Sequence, residues 1–212
     1  MVLAGRAQPG STVRLSTPEG RALSTPASAA GRWRIELPPS ADMRLFSLST
    51  LDGGRVVQSE GYLAVASDLA AQLRAGAGAL VYGATADGPR ILAVDFDSKG
   101  GCVVSGVAGS GHAALVRIDG ADRGRTRADA AGRVTLALDE PVAFGAHTVE
   151  IVDGDRRARR SVEMSAAGSM PAIPLRAERL DAAWRVDWTT PGGGPQTTLL
   201  FPPQVPPAGG PA

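Results

Sequence analysis

The chain has 212 residues, of which 20% are charged and only 4% are aromatic, and its formal net charge is +1. A net charge this close to zero provides no overall positive field that would attract nucleic acid or an anionic membrane. The 27 glycines and 16 prolines favour short strands joined by turns over long helices.

Residues 2–37 and residues 102–138 carry related sequences. Pairs of matching positions lie 101 residues apart; they are Gly5 and Gly106, Gly31 and Gly132, and Asp52 and Asp153. Val13 matches Val116 at an offset of 103, which predicts a short insertion in a loop. A repeat of this length predicts two copies of one structural unit.

Alternating apolar and polar residues predict short strands in both copies. In the first copy Val13 and Leu15 point to one side of a strand, and Trp33 shares a side of another strand with Ile35. Six or seven strands within about 65 residues, separated by glycine and proline turns, are typical of a β-sandwich. The second copy has the same order of strands and turns.

These segments resemble the bacterial immunoglobulin-like modules that occur in tandem in envelope and surface proteins. The resemblance depends on residues 5–15 (GRAQPGSTVRL), on residues 30–33 (AGRW) and on the Asp-Gly hairpin turn. In the second copy Ser110 replaces the turn proline and Val134 replaces the tryptophan. The resemblance implies a non-catalytic structural or protein-interaction module, located in the cell envelope, periplasmic or surface-exposed, with a protein partner there.

The segments outside the two copies predict further small elements. Residues 67–75 (SDLAAQLRA) predict a short helix capped by Ser67 or Asp68. Residues 80–83 and 90–96 predict a hairpin. A hairpin alone is marginal in water, so we expect residues 68–97 and 172–201 to pair into one small β-unit with the second copy inserted between them.

The predicted fold is all-β, with two immunoglobulin-like β-sandwich domains and a small extra β-hairpin unit. The predicted division is 1–66 for the first sandwich, 67–101 for a linker and hairpin, 102–165 for the second sandwich, 170–201 for the hairpin that completes the third unit, and 202–212 for a disordered tail. No run of about 18 apolar residues exists, so we expect no membrane span. No signal peptide is visible, and because Val2 already lies inside a repeat we interpret the chain as a fragment.

Few residues offer chemistry. Cys102 is the only cysteine, so no disulfide within the chain is possible. The two histidines, His112 and His147, cannot supply the three protein ligands usual for catalytic zinc. Because no neighbourhood gathers several titratable groups, we expect no enzymatic activity and no cofactor.

Asp95 and Asp97 precede a glycine turn, as the first ligands of a calcium loop do. A complete loop needs a distal acidic ligand, but Val107 and Ala108 lie near that position, and Lys99 adds a positive charge. We therefore interpret the segment as a solvated turn and keep Asp95 and Asp97 only as the alternative metal candidate.

Trp184 and Trp188 lie on the same side of a predicted strand, about 13 Å apart. Buried, they would form the core of the third unit, which is the interpretation we favour. Exposed, they would stack on sugar rings. The alternative function is therefore a carbohydrate- or peptidoglycan-binding module with cell-wall glycan as its partner.

Four arginines, Arg156, Arg157, Arg159 and Arg160, lie at the start of one predicted strand. Charges at this place protect an edge strand from aggregation, and arginine also binds carboxylates in bidentate fashion. The segment thus predicts a charged edge strand, with an acidic protein partner as the alternative. Nucleic acid is not expected, because no aromatic residues are interleaved with the arginines.

Overall fold

The computed structural model describes residues 1–84, 87–168, 175–190 and 192–203. Every regular element in these residues is a β-strand, and all strand pairs are antiparallel. The predicted all-β class is therefore confirmed, and antiparallel sheets enclose the buried cores. The described residues contain no helical segment with the length and hydrophobicity that crossing a membrane requires. The predicted tail lies outside the described residues from residue 204 onward.

The strands follow one another closely along the chain. They are β1 (Val2–Arg6), β2 (Thr12–Ser16), β3 (Ala22–Pro26), β4 (Arg32–Glu36), β5 (Arg44–Asp52), β6 (Arg55–Gln58), β7 (Tyr62–Val65), β8 (Ala70–Leu73), β9 (Leu80–Val81), β10 (Arg90–Asp97), β11 (Cys102–Val107), β12 (Ala113–Ile118), β13 (Ala121–Arg127), β14 (Arg133–Ala137), β15 (Gly145–Asp153), β16 (Arg156–Met164), β17 (Leu175–Arg179), β18 (Trp184–Thr189) and β19 (Pro195–Leu200).

The two sequence copies have the same strand pairing. In the first copy β1 pairs with β4, and β2 lies between β3 and β5 in the facing sheet. In the second copy β11 pairs with β14, and β12 lies between β13 and β15. Buried Val13 and Leu15 of β2 follow the predicted alternation, because side chains along a strand point to opposite faces in turn.

Backbone hydrogen bonds in the loops recur at an offset of 101. Ala7 N–H donates to the Gly31 carbonyl at 2.9 Å, and Ala108 N–H donates to the Gly132 carbonyl at 2.8 Å. The same holds for the pairs Gly10–Ala27 and Gly111–Ala128, Ser28–Arg32 and Asp129–Arg133, and Leu37–Met1 and Leu138–Cys102. These bonds place Val13 at the position of Ala114 on the side of β3 and β13. On the side of β5 and β15, Val13 is opposite Thr50 and Val116 is opposite Ile151, which is the predicted match of Val13 to Val116.

A third core lies between two sheets, one of which extends from the first copy and the other from the second. β10 pairs with β11 on one side and with β19 on the other, which gives a continuous sheet in the order β14-β11-β10-β19-β18-β17. Leu73 of β8 and Trp188 of β18 are fully buried in the core that this sheet forms with β7, β8 and β9. The expected contact between the segments on either side of the second copy is therefore present, while the predicted division into domains stays a prediction.

Two local predictions are wrong. Residues 70–73 form strand β8, and not a helix, because Ala71 and Leu73 alternate into the core and the strand pairs with β7. Asp68 does not cap a helix; its carboxylate accepts a hydrogen bond from Arg179 at 2.8 Å. The predicted hairpin of residues 80–83 with 90–96 is also absent, because β9 pairs with β8 whereas β10 pairs with β11 and β19.

Candidate functional site

The predicted basic strand is β16, and it lies at the end of its sheet. Of the described strands, only β15 pairs with it. Val162 and Met164 point into the core of the second copy, whereas the odd-numbered positions, including Arg157 and Arg159, are exposed. The strand therefore separates the four predicted arginines into two pairs that face opposite directions.

Arg156 and Arg160 lie on the inward-facing side and contact the rest of the fold. Arg156 forms an ion pair with the buried carboxylate of Asp153, with an N–O distance of 3.3 Å. The guanidinium of Arg160 lies over the ring of Phe201, 5.3 Å from its centroid. These contacts give Arg156 and Arg160 structural roles in holding β16 in place.

Asp153 also accepts hydrogen bonds from the loop between β11 and β12. It accepts hydrogen bonds from Gly109 N–H at 2.9 Å and from His112 Nδ1 at 2.8 Å. The Gly109 bond is the main cause that holds the pKa of Asp153 below its usual range. His112 thus anchors this loop to the buried carboxylate of Asp153.

Arg157 and Arg159 point to the outer side of the sheet, and strand register places two further arginines, one on β12 and one on β13, in the same two rows of that side. Arg125 is opposite Leu115, Leu115 is opposite Val152, and Val152 is opposite Arg157. Directly opposed residues of an antiparallel pair lie on one face, so Arg125 and Arg157 share the outer face of this sheet.

The neighbouring row of this face runs from Arg117 through Glu150 to Arg159. Arg159 lies 3.6 Å from Glu150, and Arg117 lies 2.6 Å from Asp122. Within the described part of the chain, neither Arg125 nor Arg157 forms an ion pair. We call the set Arg117, Arg125, Arg157 and Arg159 the arginine face.

Asp95 and Asp97 are not arranged as metal ligands. Asp95 is buried, and its carboxylate accepts hydrogen bonds from Ala79 N–H, Gln196 and Thr198. The carboxylate of Asp97 accepts from the backbone N–H groups of the turn that follows it. Donors of the fold therefore occupy both carboxylates. The predicted turn is present between Asp97 and Gly101, but Asp95 lies outside it, in the core.

The two tryptophans are in the core. Trp188 is fully buried, donates its indole N–H to Thr198 at 3.0 Å and packs edge-on against Tyr62 with centroids 6.1 Å apart. Trp184 is 5% exposed, and the guanidinium of Arg179 lies over its ring at 5.0 Å. Neither ring has a free face on which a sugar could stack, so the alternative use of Trp184 and Trp188 is wrong.

Cys102 is buried at the start of β11. Burial raises the pKa of its thiol to about 12. The thiolate is the nucleophilic form of cysteine, so this residue packs as a small apolar side chain. The described residues contain no cluster of three or more His, Cys, Asp or Glu side chains that could hold a metal ion.

A second surface was missed by the sequence reasoning. A cleft of about 440 Å³ runs beside β1 and is lined mainly by apolar side chains, among them Trp33, Leu48, Leu63 and Tyr82. Trp33 shares a side of its strand with buried Ile35, but Trp33 itself is only half-buried and forms part of the cleft wall. The sequence contains one signal of this cleft. Residues 90–97 are apolar and form the strand beside β11, whereas no described strand occupies the equivalent place beside β1.

No protein-family model matches the chain, and no curated protein matches it. Among solved structures it is similar to a chain described as "Biofilm associated protein - BSP domain", with 14% identity, a TM-score of 0.29, and coverage of 80% of this chain and 28% of that one. It is also similar to the "Central Fibronectin-III array of RIM-binding protein", with 16% identity, a TM-score of 0.28, and coverage of 91% and 72%. These values are too low to carry an argument about function.

Proposed function

We propose that the chain is a non-catalytic structural and protein-interaction module of a bacterial cell-envelope or surface protein, and that its arginine face binds an acidic protein. The proposal follows from two tandem copies of one immunoglobulin-like unit, which act as a spacer and present the outer face of the second copy. The observation that carries it is the exposed position of Arg125 and Arg157 in one row of a sheet face, where no carboxylate of the described residues pairs with either.

The charge balance of the face supports an acidic partner. Glu150 and Asp122 pair with Arg159 and Arg117, and Glu163 is exposed on the same side of β16. Four arginines therefore outnumber three carboxylates on this side, although the whole chain is nearly neutral. Arginine binds carboxylates with two parallel hydrogen bonds. Complementary charge of this kind steers a partner and fixes its orientation more than it adds affinity.

The edge position of β16 provides a second contact of the same partner. An edge strand leaves one row of backbone N–H and C=O groups unpaired, and charged side chains restrict which chains can approach it. A partner that carries carboxylates opposite Arg157 and Arg159 would meet that restriction. Arg156 and Arg160 then hold the strand in place from the opposite side.

The test uses a variant in which Arg125, Arg157 and Arg159 are changed to alanine. Its control carries Arg14→Ala, Arg32→Ala and Arg55→Ala, which removes the same charge from exposed positions of the first copy. The immobilised chains are used to capture proteins from a bacterial envelope extract, and binding of poly-L-glutamate is titrated in parallel at low and at high salt.

We expect the face variant to lose about tenfold or more in affinity for poly-L-glutamate, and to lose the acidic proteins that the control still captures. High salt weakens binding of the unchanged chain, because exposed charges are screened. Equal losses in both variants would show attraction by charge alone, and unchanged capture by the face variant would reject the arginine face as the binding surface.

A further inference from the structure

His147 lies between two hydrogen-bond acceptors near the start of β15. Its Nδ1 lies 2.7 Å from a carboxylate oxygen of Asp119, and its Nε2 lies 2.8 Å from the carbonyl oxygen of Ala143. A neutral imidazole carries a hydrogen on one of its two nitrogens, whereas the cation carries one on each. Because a carboxylate and a carbonyl oxygen only accept, the cation is the form of His147 that donates both bonds.

The surroundings of His147 favour that cation. The other carboxylate oxygen of Asp119 accepts from Thr148 N–H at 2.7 Å, and this bond is the main cause that holds the pKa of Asp119 below its usual range. The hydrogen bond with Asp119 in turn raises the pKa of His147, and the negative charge of Glu163 on β16 acts in the same direction. The side chain of His147 is 14% exposed, so water replaces a lost partner only in part.

The carbonyl group of Ala143 belongs to residues 138–144, which join β14 to β15 and which we call the β14–β15 loop. On one side of Ala143, Val142 is buried in the core of the second copy. On the other side, Phe144 is 46% exposed. The bond from His147 thus fixes the point where the loop passes from a buried residue to an exposed aromatic ring.

The beginning of the β14–β15 loop has a different anchor. Arg123 of β13 donates to the carbonyl oxygen of Glu140 at 2.8 Å, and its Nη2 lies 3.8 Å from the Glu140 carboxylate. Arginine keeps its charge throughout the pH range of interest, so this anchor does not titrate. Loss of the bond from His147 therefore frees the end of the loop while its beginning stays attached.

The first copy has no titratable side chain at the equivalent position. Thr50 of β5 and Ile151 of β15 occupy matching places in the two sheets, so Phe46 corresponds to His147. Phe46 is buried in the core of the first copy. The fold of the unit therefore does not require a charge at this position, which favours a role for His147 that is specific to the second copy.

We propose that His147 is a pH-dependent anchor of the β14–β15 loop: the charged imidazole holds the loop closed, and the neutral imidazole releases its end and uncovers Val142 beside Phe144. The neutral ring keeps its one hydrogen for the carboxylate of Asp119. Its bare nitrogen then faces the Ala143 carbonyl oxygen, and two lone pairs repel each other. The loop is thus closed at low pH and opens as pH rises through the pKa of the folded state.

The experiment follows the whole chain between about pH 5.5 and pH 9, which includes the ordinary histidine pKa of about 6.5. The ¹⁵N chemical shifts of the imidazole report the charge of His147. Hydrogen exchange of Val142 N–H, which donates to the Gly100 carbonyl at 2.9 Å, reports closure of the loop. Exchange of Ile151 N–H, in the middle of β15, reports global unfolding. Rates are expressed as protection factors, which correct for the intrinsic increase of exchange with pH.

His147→Gln is the test variant, because glutamine can donate a hydrogen bond but does not titrate. His112→Gln is the matched control. His112 also bonds to a carboxylate through Nδ1, 2.8 Å from Asp153. Its Nε2 has no acceptor within the described residues, so the neutral ring satisfies the bond. Circular dichroism establishes that both variants fold.

We expect the protection factor of Val142 N–H to fall by at least about tenfold over the interval in which His147 loses its proton, in the unchanged chain and in His112→Gln alike. The protection of Ile151 N–H stays constant there, and in His147→Gln the protection of Val142 no longer depends on pH. A neutral His147 beside a protected Val142, an equal loss of protection at Ile151, or a pH dependence that persists in His147→Gln would each overturn the inference. The arginine face is not involved, so the outcome is independent of the proposed function.

Discussion

Thr198 on β19 donates a hydrogen bond of 2.5 Å to the carboxylate of Asp95 on β10, and both residues are buried. Ala79 N–H donates to the other oxygen of Asp95 at 3.0 Å, and the indole of Trp188 donates to the Thr198 hydroxyl at 3.0 Å. This network joins segments that lie on either side of the second copy in the chain, so it closes the third core.

The first prediction concerns pH and Asp95. Burial raises the pKa of Asp95 from 3.8 to about 6, against the opposing effect of the Thr198 hydrogen bond. The folded state therefore keeps a proton that the unfolded chain releases between about pH 4 and pH 6. The free energy of unfolding falls as pH rises through this window, by about 3 kcal/mol from this residue.

Asp95→Asn removes this dependence. We expect the stability of the unchanged chain relative to Asp95→Asn, measured by urea unfolding, to decrease by about 3 kcal/mol between pH 4 and pH 7. Subtracting the free energy of unfolding of Asp95→Asn isolates the contribution of Asp95, because the other titrating groups contribute equally to both proteins. A difference that does not change with pH would contradict the prediction.

The second prediction concerns Trp188. Trp188→Ala removes a fully buried ring and its hydrogen bond to Thr198, so we expect a loss of about 3–5 kcal/mol in the free energy of unfolding. Val56→Ala, at a residue that is 64% exposed, should change stability by less than about 0.5 kcal/mol. Guanidinium unfolding followed by circular dichroism checks both values, and similar losses in the two variants would show that the ring is not a core residue.

The third prediction concerns Gly31, which has a positive φ of 71°. A Cβ at this position would lie 2.6 Å from the carbonyl oxygen of Ala7, a backbone atom that cannot move aside cheaply. Gly20 has a φ of 87° with open space around it. Gly20→Ala should therefore cost only the conformational penalty of about 1–2 kcal/mol, and Gly31→Ala should cost clearly more in urea unfolding. Equal costs would show that the loop around Ala7 adjusts freely.

The fourth prediction concerns His147, whose Nδ1 lies 2.7 Å from Asp119 and whose Nε2 lies 2.8 Å from the Ala143 carbonyl. The hydrogen bond to Asp119 raises the pKa of His147. A raised pKa in the folded state contributes stability that is complete below about pH 6.5, the unfolded value, and is lost as pH rises through the folded value.

We therefore expect His147→Gln to lower the thermal midpoint more at pH 5.5 than at pH 8.5. Asp119→Asn should remove the same pH dependence, because it removes the carboxylate that favours the charged imidazole. A larger effect of His147→Gln at pH 8.5 would reverse the sign of the argument and reject it.

Local pattern was sufficient to predict the strands of the two copies. Val13 and Leu15 alternate with polar residues, and glycine and proline separate the strands, so period and turn signals agreed. The helix predicted over residues 67–75 was wrong at residues 70–73, where alanine, glutamine and leucine are good helix formers. Pairing with β7 decided their conformation, as tertiary context does for short apolar segments.

The candidate surfaces depended on contacts between distant residues. Alternation could place Arg157 and Arg159 on one side of a strand, but only the registers of three strands bring Arg125 into the same row. The cleft beside β1 could not be predicted, because local sequence does not show which strands pair with β1 and which do not. Burial of Trp184 and Trp188 likewise depends on β7, β8 and β9, whose packing no local pattern shows.

The second copy leaves the third core through β10 and returns to it through β17, and β10 contributes side chains to both cores: Val94 to one and Leu92 to the other. The second copy is thus connected to the third core by two chain segments and by a continuous ladder of backbone hydrogen bonds, whereas the units of a tandem array are joined by a single flexible linker. Rotation of the second copy against the third core would require that ladder to break, so these hydrogen bonds oppose such a rotation.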